Sequence, residues 1–284
     1  MPVNRPRRSA LYMPASNLRA IEKARSLPCD VVILDLEDAV APDAKAEARA
    51  NAVAAARAGG FGTRELILRV NALDTEWGLD DLAAGVAAPF AGLLAPKVDD
   101  AATVRRYDDA MADAPGMGLW AMIETTRALF RLDEIAAALA PRHGCFVMGT
   151  NDLAKEMGAR LTVERSPFLG FMALAVAAAK GHGLGALDGV YNAFDDEDGL
   201  VRQCSEARSF GFDGKTLIHP RQIDPANCAF NPSEKEVAWA EAVVGAFADP
   251  ENAGKGAIRV AGQMVERLHL AEAEKALAMI GRGA

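Results

Sequence analysis

The chain has 284 residues, enough for one large α/β domain with a tail or for two small domains, and 51% of them are apolar, ample for a full core. A formal net charge of -8 leaves no electrostatic footprint for nucleic acid, and no apolar run is long enough to span a bilayer, so neither nucleic acid nor membrane is expected as a partner. Cys29, Cys145, Cys204 and Cys228 form no close pair and lack zinc spacing; with a soluble, acidic composition they fit a cytoplasmic protein whose Cys29 and Cys145 are reduced core residues.

In chain order, Arg5, Arg7 and Arg8 come first, a basic cluster that reads as a solvated arm or, alternatively, as a contact for an anionic ligand. Tyr12, Pro14, Ser16 and Asn17 follow instead of a long apolar segment, so a secretory leader is not expected. Strand-like runs occur at 10–13, 31–36, 65–70, 92–96, 118–123, 145–149, 185–190 and 214–218. Between them lie Ala-rich runs with helical period at 17–26, 42–58, 99–112, 125–139, 167–181 and 196–209. Ser16 and Asp99 read as helix caps, Pro42 as a helix-start proline, and Gly181, Gly183 and Gly185 as a helix exit. Regular alternation implies a parallel sheet with right-handed helical crossovers. Eight units predict a (β/α)8 TIM barrel over residues 1–231. An open doubly wound sheet is the alternative, and no Gly-x-Gly-x-x-Gly follows a strand to support it. Residues 232–284 exceed what the barrel needs. They carry helix-like runs at 233–247 and 263–281 with a Pro/Gly-punctuated linker at 249–256, and predict a helical appendage that packs on the barrel, acts as a lid or reaches a neighbouring subunit.

Chemistry in such folds sits at the C-terminal strand ends. The second strand ends in Asp35, Glu37 and Asp38, three carboxylates in four positions, more than a helix cap requires. The third ends in Arg69 and Asn71, the fourth in Lys97, the fifth in Glu124, the sixth in Asn151 and Asp152, the seventh in Asp188 and Tyr191, the eighth in His219. Glu124 and Asp152, one βα unit apart with no His/Cys set beside them, suit a hard divalent cation such as Mg²⁺. Their alternative use is helix capping, which Thr125 and Thr126 could supply. Arg69 fits a bidentate clamp on a substrate carboxylate, an oxyanion partner, or an internal ion pair. Lys97 could form a Schiff base or pair with a mouth acid, and His219 before Pro220 reads as a turn former.

Taken together, the segment from Arg8 to Asn17, the acid run from Leu34 to Val40, Leu68-Arg69-Val70-Asn71, Pro96-Lys97-Val98, Ile123-Glu124-Thr125, Gly149-Thr150-Asn151-Asp152-Leu153 and the run from Gly214 to Pro220 resemble the citrate lyase β-subunit-like branch of the HpcH/HpaI aldolase superfamily. The resemblance covers nearly the whole chain. It implies a Mg²⁺-binding (β/α)8 barrel acting on hydroxyacyl-CoA thioesters, as malyl-CoA lyases and malyl-CoA thioesterases do. It implies that Glu124 and Asp152 bind the metal, that Arg69 holds the substrate's carboxylate end, and that Glu37 and Asp38 hold metal-bound waters. Tyr12 and Lys23 match positions that contact CoA, and Asn17 stands where the family has an arginine. The family's C-terminal Gly-x-Met-Ile-Asp-x-Pro matches Gly262-Gln263-Met264-Val265-Glu266-Arg267-Leu268 here. Glu266 takes the place of an aspartate that enters a neighbouring subunit's site as a catalytic acid/base, and the proline is absent. The resemblance thus implies a homo-oligomer, a trimer or hexamer. The activity read first is reversible C–C cleavage of a malyl-CoA-like thioester into an acyl-CoA and a 2-oxo acid. The alternatives are hydrolysis of the same thioester, a carrier-dependent subunit of a citrate lyase complex, and a Schiff-base aldolase through Lys97.

Overall fold

Apolar strand runs that end in polar residues must be paired on both edges and covered on both faces. In this computed structural model, which describes residues 5–281, closure into a ring meets the first need and an outer layer of helices the second. β1 (Ser9–Pro14), β2 (Val31–Asp35), β3 (Glu65–Arg69), β4 (Gly92–Ala95), β5 (Gly118–Ile123), β6 (Cys145–Met148), β7 (Gly185–Asp188) and β8 (Gly214–Leu217) lie parallel in chain order. β8 returns to β1 with Ser9 opposite Lys215, which closes a (β/α)8 barrel and removes the open sheet from consideration. Residues 1–4 and 282–284, the outermost parts of the two expected domains, lie outside the described chain.

The helices are α1 (Leu18–Ala24), α2 (Lys45–Ala58), α3 (Gly78–Val86), α4 (Ala101–Ala110), α5 (Thr126–Leu129), α6 (Leu132–Leu139), α7 (Thr150–Met157), α8 (Leu169–Gly181), α9 (Glu197–Phe210) and α10 (Ile223–Phe230). The run expected at 125–139 is two helices, broken at Phe130 and Arg131, and α3, α7 and α10 are additional. Two caps fall one residue later than expected. Asn17, not Ser16, accepts the Ala20 N–H at 3.1 Å, and Asp100, not Asp99, accepts that of Thr103 at 2.8 Å. Both have extended backbones directly before the first helical residue, which the cap geometry demands. Asp99 instead accepts the Thr125 hydroxyl at 2.5 Å.

Inward-facing Ala10, Val31, Ile33, Ile67, Leu94, Trp120, Met122, Cys145, Val147 and Leu187 fill the barrel. Each fully buried aliphatic side chain contributes roughly 1.5–3 kcal/mol through removal from water. Arg7 and Arg8 are not a solvated arm. Arg7 pairs with Glu65 at 2.7 Å with its guanidinium 4.5 Å above the Trp120 ring, and Arg8 pairs with Asp30 at 2.8 Å. Both acids flank the N-terminal strand ends, so the two arginines belong to the barrel floor; Arg5 alone of the three is exposed. The four cysteines are free thiols, with Cys29 and Cys145 buried as expected.

The chain divides into two compact units, 1–228 and 229–284. The second holds α11 (Glu234–Ala248), the antiparallel pair β9 (Ala257–Val260) and β10 (Gln263–Glu266), and α12 (Arg267–Ile280). The helix expected over 263–281 thus begins only at Arg267. Ala261 and Gly262 both have positive φ, the signature of a tight two-residue hairpin turn, and this turn forces 263–266 into a strand. Ala240, Val243, Ile258, Val260, Val265 and Ala273 give this unit its own small core. Among the described residues no helix is long and apolar enough to cross a membrane.

Candidate active site

β2 and β3 end side by side, with Asp35 opposite Arg69 in the parallel register. Arg69 donates through Nε to Asp35 Oδ1 and through Nη2 to Asp35 Oδ2, both at 2.7 Å. Its forked edge is therefore taken by Asp35, and a bidentate clamp on a substrate carboxylate through that edge is not available. Nη1 is the group that Asp35 leaves free; it donates to Met122 Sδ at 3.6 Å. It lies 2.8 Å from Glu37 Oε2, off the line of a hydrogen bond, and 3.5 Å from Asp38 Oδ2. The guanidinium sits 4.8 Å from the centre of the Tyr12 ring on β1. Lys45, buried on α2, donates to the carbonyls of Leu36 and Glu37 at 2.9 Å each and so holds the acid turn from behind. Asn71 ties the same turn to β3 through Leu36 O at 2.9 Å.

Across the mouth, Glu124 ends β5 and Asp152 lies in the first turn of α7. Gly149 is the residue that lets β6 run so close to Glu124, since a Cβ there would meet the Glu124 Cβ at 2.4 Å. Thr125, not Glu124, caps α5, accepting the Ala128 N–H at 3.2 Å, so the glutamate is released from a capping role. Glu124 Oε1 accepts the Lys97 N–H at 2.8 Å, while Oε2 is buried with no partner. Lys97 Nζ stands between the two acids, 3.0 Å from Asp152 Oδ1 and 3.7 Å from Glu124 Oε1. The backbone of Lys97 has φ of 50°, a left-handed conformation uncommon for a side chain of this size.

Burial dominates the electrostatics. It pushes the Glu37 carboxyl up to about 8, against the pull of Arg69 and with the repulsion of Glu124. It also raises Glu124, with Lys97 opposing and Asp152 adding to the shift. Two buried carboxyls held above their ordinary range, each with one oxygen that accepts no hydrogen bond, form an oxygen-donor site. That donor set fits a hard divalent cation on Glu124 and Asp152. Among the described residues no three His, Cys, Asp or Glu side chains converge on one point; a hard cation held by Glu124 and Asp152 would complete its shell with water.

The structure thus gathers Arg69, Glu37, Asp38, Tyr12, Glu124 and Asp152, with Lys97 between the last two. Lys23 is exposed in the last turn of α1 and makes none of these contacts. Glu266, in the second unit, ends β10, is exposed, and its N–H donates to His269 Nδ1 at 3.0 Å. Asp188 is fully buried rather than presented at the mouth, bonded to Arg165 Nη1 at 2.7 Å and to Lys215 Nζ at 2.6 Å. Tyr191 donates its hydroxyl to Asp196, and His219 accepts the Arg221 N–H while stacking on Phe194 at 5.0 Å, as a turn former does. Asp35 reads from the sequence only as one of three strand-end acids, and its role comes from the register that sets it beside Arg69; nothing in the local sequence marks Lys45.

A parallel eight-stranded barrel with an arginine and opposed carboxylates at its C-terminal mouth places these groups where (β/α)8 enzymes carry their active sites. Residues 8–220 match the HpcH/HpaI aldolase/citrate lyase family, and the chain is an enzyme belonging to that family. It is 46% identical over 273 residues to the (3S)-malyl-CoA thioesterase of Cereibacter sphaeroides, covering 96% of this chain and 94% of that one. It is 32% identical to the mitochondrial citramalyl-CoA lyase of Rattus norvegicus, covering 95% and 84%. The crystal structure of CitE from Mycobacterium tuberculosis in complex with magnesium, acetoacetate and coenzyme A superposes with a TM-score of 0.79 at 31% identity, covering 99% of this chain and 100% of that one.

Proposed function

We infer that the chain is a Mg²⁺-dependent hydrolase of a malyl-CoA-like thioester, releasing malate and free CoA. The observation that carries this reading is the 46% identity, end to end, with a (3S)-malyl-CoA thioesterase. It reverses the order reached from the sequence, where C–C cleavage came first. Magnesium and coenzyme A in the complex of the 31%-identical CitE protein support the choice of cation and of thioester handle. Free thiols throughout the chain support a reducing, cytoplasmic setting.

Glu124 and Asp152 hold the cation, whose chemistry when bound is Lewis-acid polarisation of the substrate's oxygens. Tyr12 and Lys23 serve the CoA portion. Arg69, through Nη1, faces the charge that builds on the thioester carbonyl oxygen as water adds to it. Glu37 and Asp38 orient that water, and Glu37, in its ionised form, accepts its proton. The C–S bond then breaks, and the proton passes to the departing CoA thiolate.

A second reading, C–C cleavage, is favoured by Glu266, an exposed carboxylate at the end of β10 where the resemblance places an acid/base, and by the likeness to a citramalyl-CoA lyase. In that reaction the C–C bond breaks as the hydroxyl loses its proton, and Glu266 of a neighbouring chain protonates the enolate carbon of the acyl-CoA. It rests on a homo-oligomer, a trimer or hexamer, in which residues 232–284 pack on the next subunit. Incubation of the isolated chain with (3S)-malyl-CoA and Mg²⁺ separates the two. Malate with stoichiometric free thiol supports hydrolysis; glyoxylate with acetyl-CoA overturns it in favour of the lyase. Turnover of either kind without an acyl-carrier protein excludes a carrier-dependent subunit.

A further inference from the structure

We propose that Asp35 is a positioning residue that sets which edge of the Arg69 guanidinium addresses the barrel mouth and locks that cation to the turn bearing Glu37 and Asp38. The part of the proposal that concerns turnover rests on the functional reading above. Asp35 is 1% exposed, and its carboxylate is saturated. Oδ1 accepts from Arg69 Nε at 2.7 Å and from the Glu37 N–H at 2.8 Å; Oδ2 accepts from Arg69 Nη2 at 2.7 Å and from the Ala39 N–H at 3.1 Å. Four accepted bonds use the lone pairs of both oxygens, so Asp35 has nothing left with which to bind a ligand or a cation. Its action must run through the groups it holds.

A guanidinium is planar and rigid, so fixing Nε and Nη2 fixes the plane and the direction of Nη1. The Tyr12 ring on one face removes the remaining freedom. Nη1 then stands 2.8 Å from Glu37 Oε2, and the same carboxylate pins the backbone that carries Glu37. Cation and acid therefore share one anchor and keep their spacing when either is loaded. A lysine at position 69 would keep the charge and lose this construction, because it has no fork to seat on Asp35.

The test is a double-mutant cycle in the full-length chain, assayed with (3S)-malyl-CoA and Mg²⁺. Asp35→Asn is expected to lower kcat by about 10-fold or more with KM changed less than about 3-fold, since misorientation penalises the reacting geometry more than binding. In an Arg69→Lys background the same substitution is expected to cost less than about 3-fold, because the orientation it secured is already gone. Equal losses in both backgrounds, or wild-type kcat in Asp35→Asn, overturn the proposal. Should Asp35→Asn fail to fold, ¹⁵N-arginine NMR of the wild-type chain decides. With the Arg69 signal assigned from Arg69→Lys, its Nε–H is expected to exchange slowly with solvent in the absence of substrate and cation, and rapid exchange overturns the clamp. A protected Nε–H in a chain that turns over no CoA thioester fails the functional reading and leaves the clamp standing.

Discussion

Glu124 and Lys97 are joined twice: the Lys97 N–H donates to Oε1 at 2.8 Å, and the Lys97 ammonium lies 3.7 Å from the same oxygen. The other oxygen, Oε2, is buried and unpartnered. A carboxylate so arranged gains from a cation and loses little from neutralisation. Glu124→Gln should therefore leave the Tm of the metal-free protein unchanged or higher, and Asp152→Asn should change it little. Both should abolish the rise in Tm that Mg²⁺ confers on the wild type, which at 100-fold excess over Kd corresponds to about 2.7 kcal/mol. A full Mg²⁺-dependent rise in either variant refutes the metal assignment.

If Glu124 and Asp152 hold a divalent cation, Lys97, which lies beside both acids, competes with it. Lys97→Met should tighten Mg²⁺ binding by about 1.5- to 5-fold, the scale of one partly exposed ion pair. Titration calorimetry on the metal-free chain measures it directly; weaker binding in the variant would show that the lysine supports the cation rather than displaces it.

The raised Glu37 carboxyl has a signed consequence for stability. Its ordinary value is 4.5 and its folded value about 8, so between these the unfolded chain has lost a proton that the folded chain retains. Stability of the metal-free protein should fall as pH rises from about 4.5 to about 8, with a slope of up to about 1.4 kcal/mol per pH unit from this group, and then level off. Glu37→Gln should remove that part of the slope. Denaturant titrations at pH 5, 6, 7 and 8 on both proteins test it, and identical profiles would count against a buried, protonated Glu37.

Asp188 is held below its ordinary value: burial pushes it up, but Lys215 and Arg165 outweigh burial. Asp188→Asn leaves two buried cations without their shared counter-ion and should destabilise the chain by about 3–5 kcal/mol, the cost of breaking a buried pair from one side. Replacing both partners, Asp188→Leu with Lys215→Met, should recover part of that loss. Chemical denaturation of the wild type and the two variants checks the order.

If Glu266 serves a neighbour's site, Glu266→Gln should slow turnover by about 10²–10⁴-fold while Mg²⁺ and CoA still bind. Mixing Glu266→Gln chains with Glu124→Gln chains should restore part of the activity, since some sites then hold both native residues. No recovery, with chain exchange verified separately, places Glu266 in its own chain's site or outside the reaction.

The barrel was legible because its eight strands are short apolar runs that stop at polar residues, a pattern that period and length both report. The strand-end acids and Arg69 were legible for the same reason. The geometry among them was not. Asp35, Glu37 and Asp38 are alike as letters, and only the register that sets Asp35 beside Arg69 decides which of them is the arginine's seat. α7 was missed because it starts directly at Thr150, after Gly149, with no side-chain cap to announce it, and α3 because Gly78 and Gly85 weaken its helical signal. Residues 263–266 were read as helix because their spacing also suits one; the positive φ of Ala261 and Gly262 turned them into a strand, and a non-glycine at the first of these gives little warning.

The floor of the barrel carries a last consequence. With Arg7 seated between Glu65 and Trp120, and the interior packed with side chains, the N-terminal end of the barrel is stoppered. The strand-end acids and Arg69 are therefore open to approach from the opposite end, and a contact on the far side of the molecule decides from which side they can be reached.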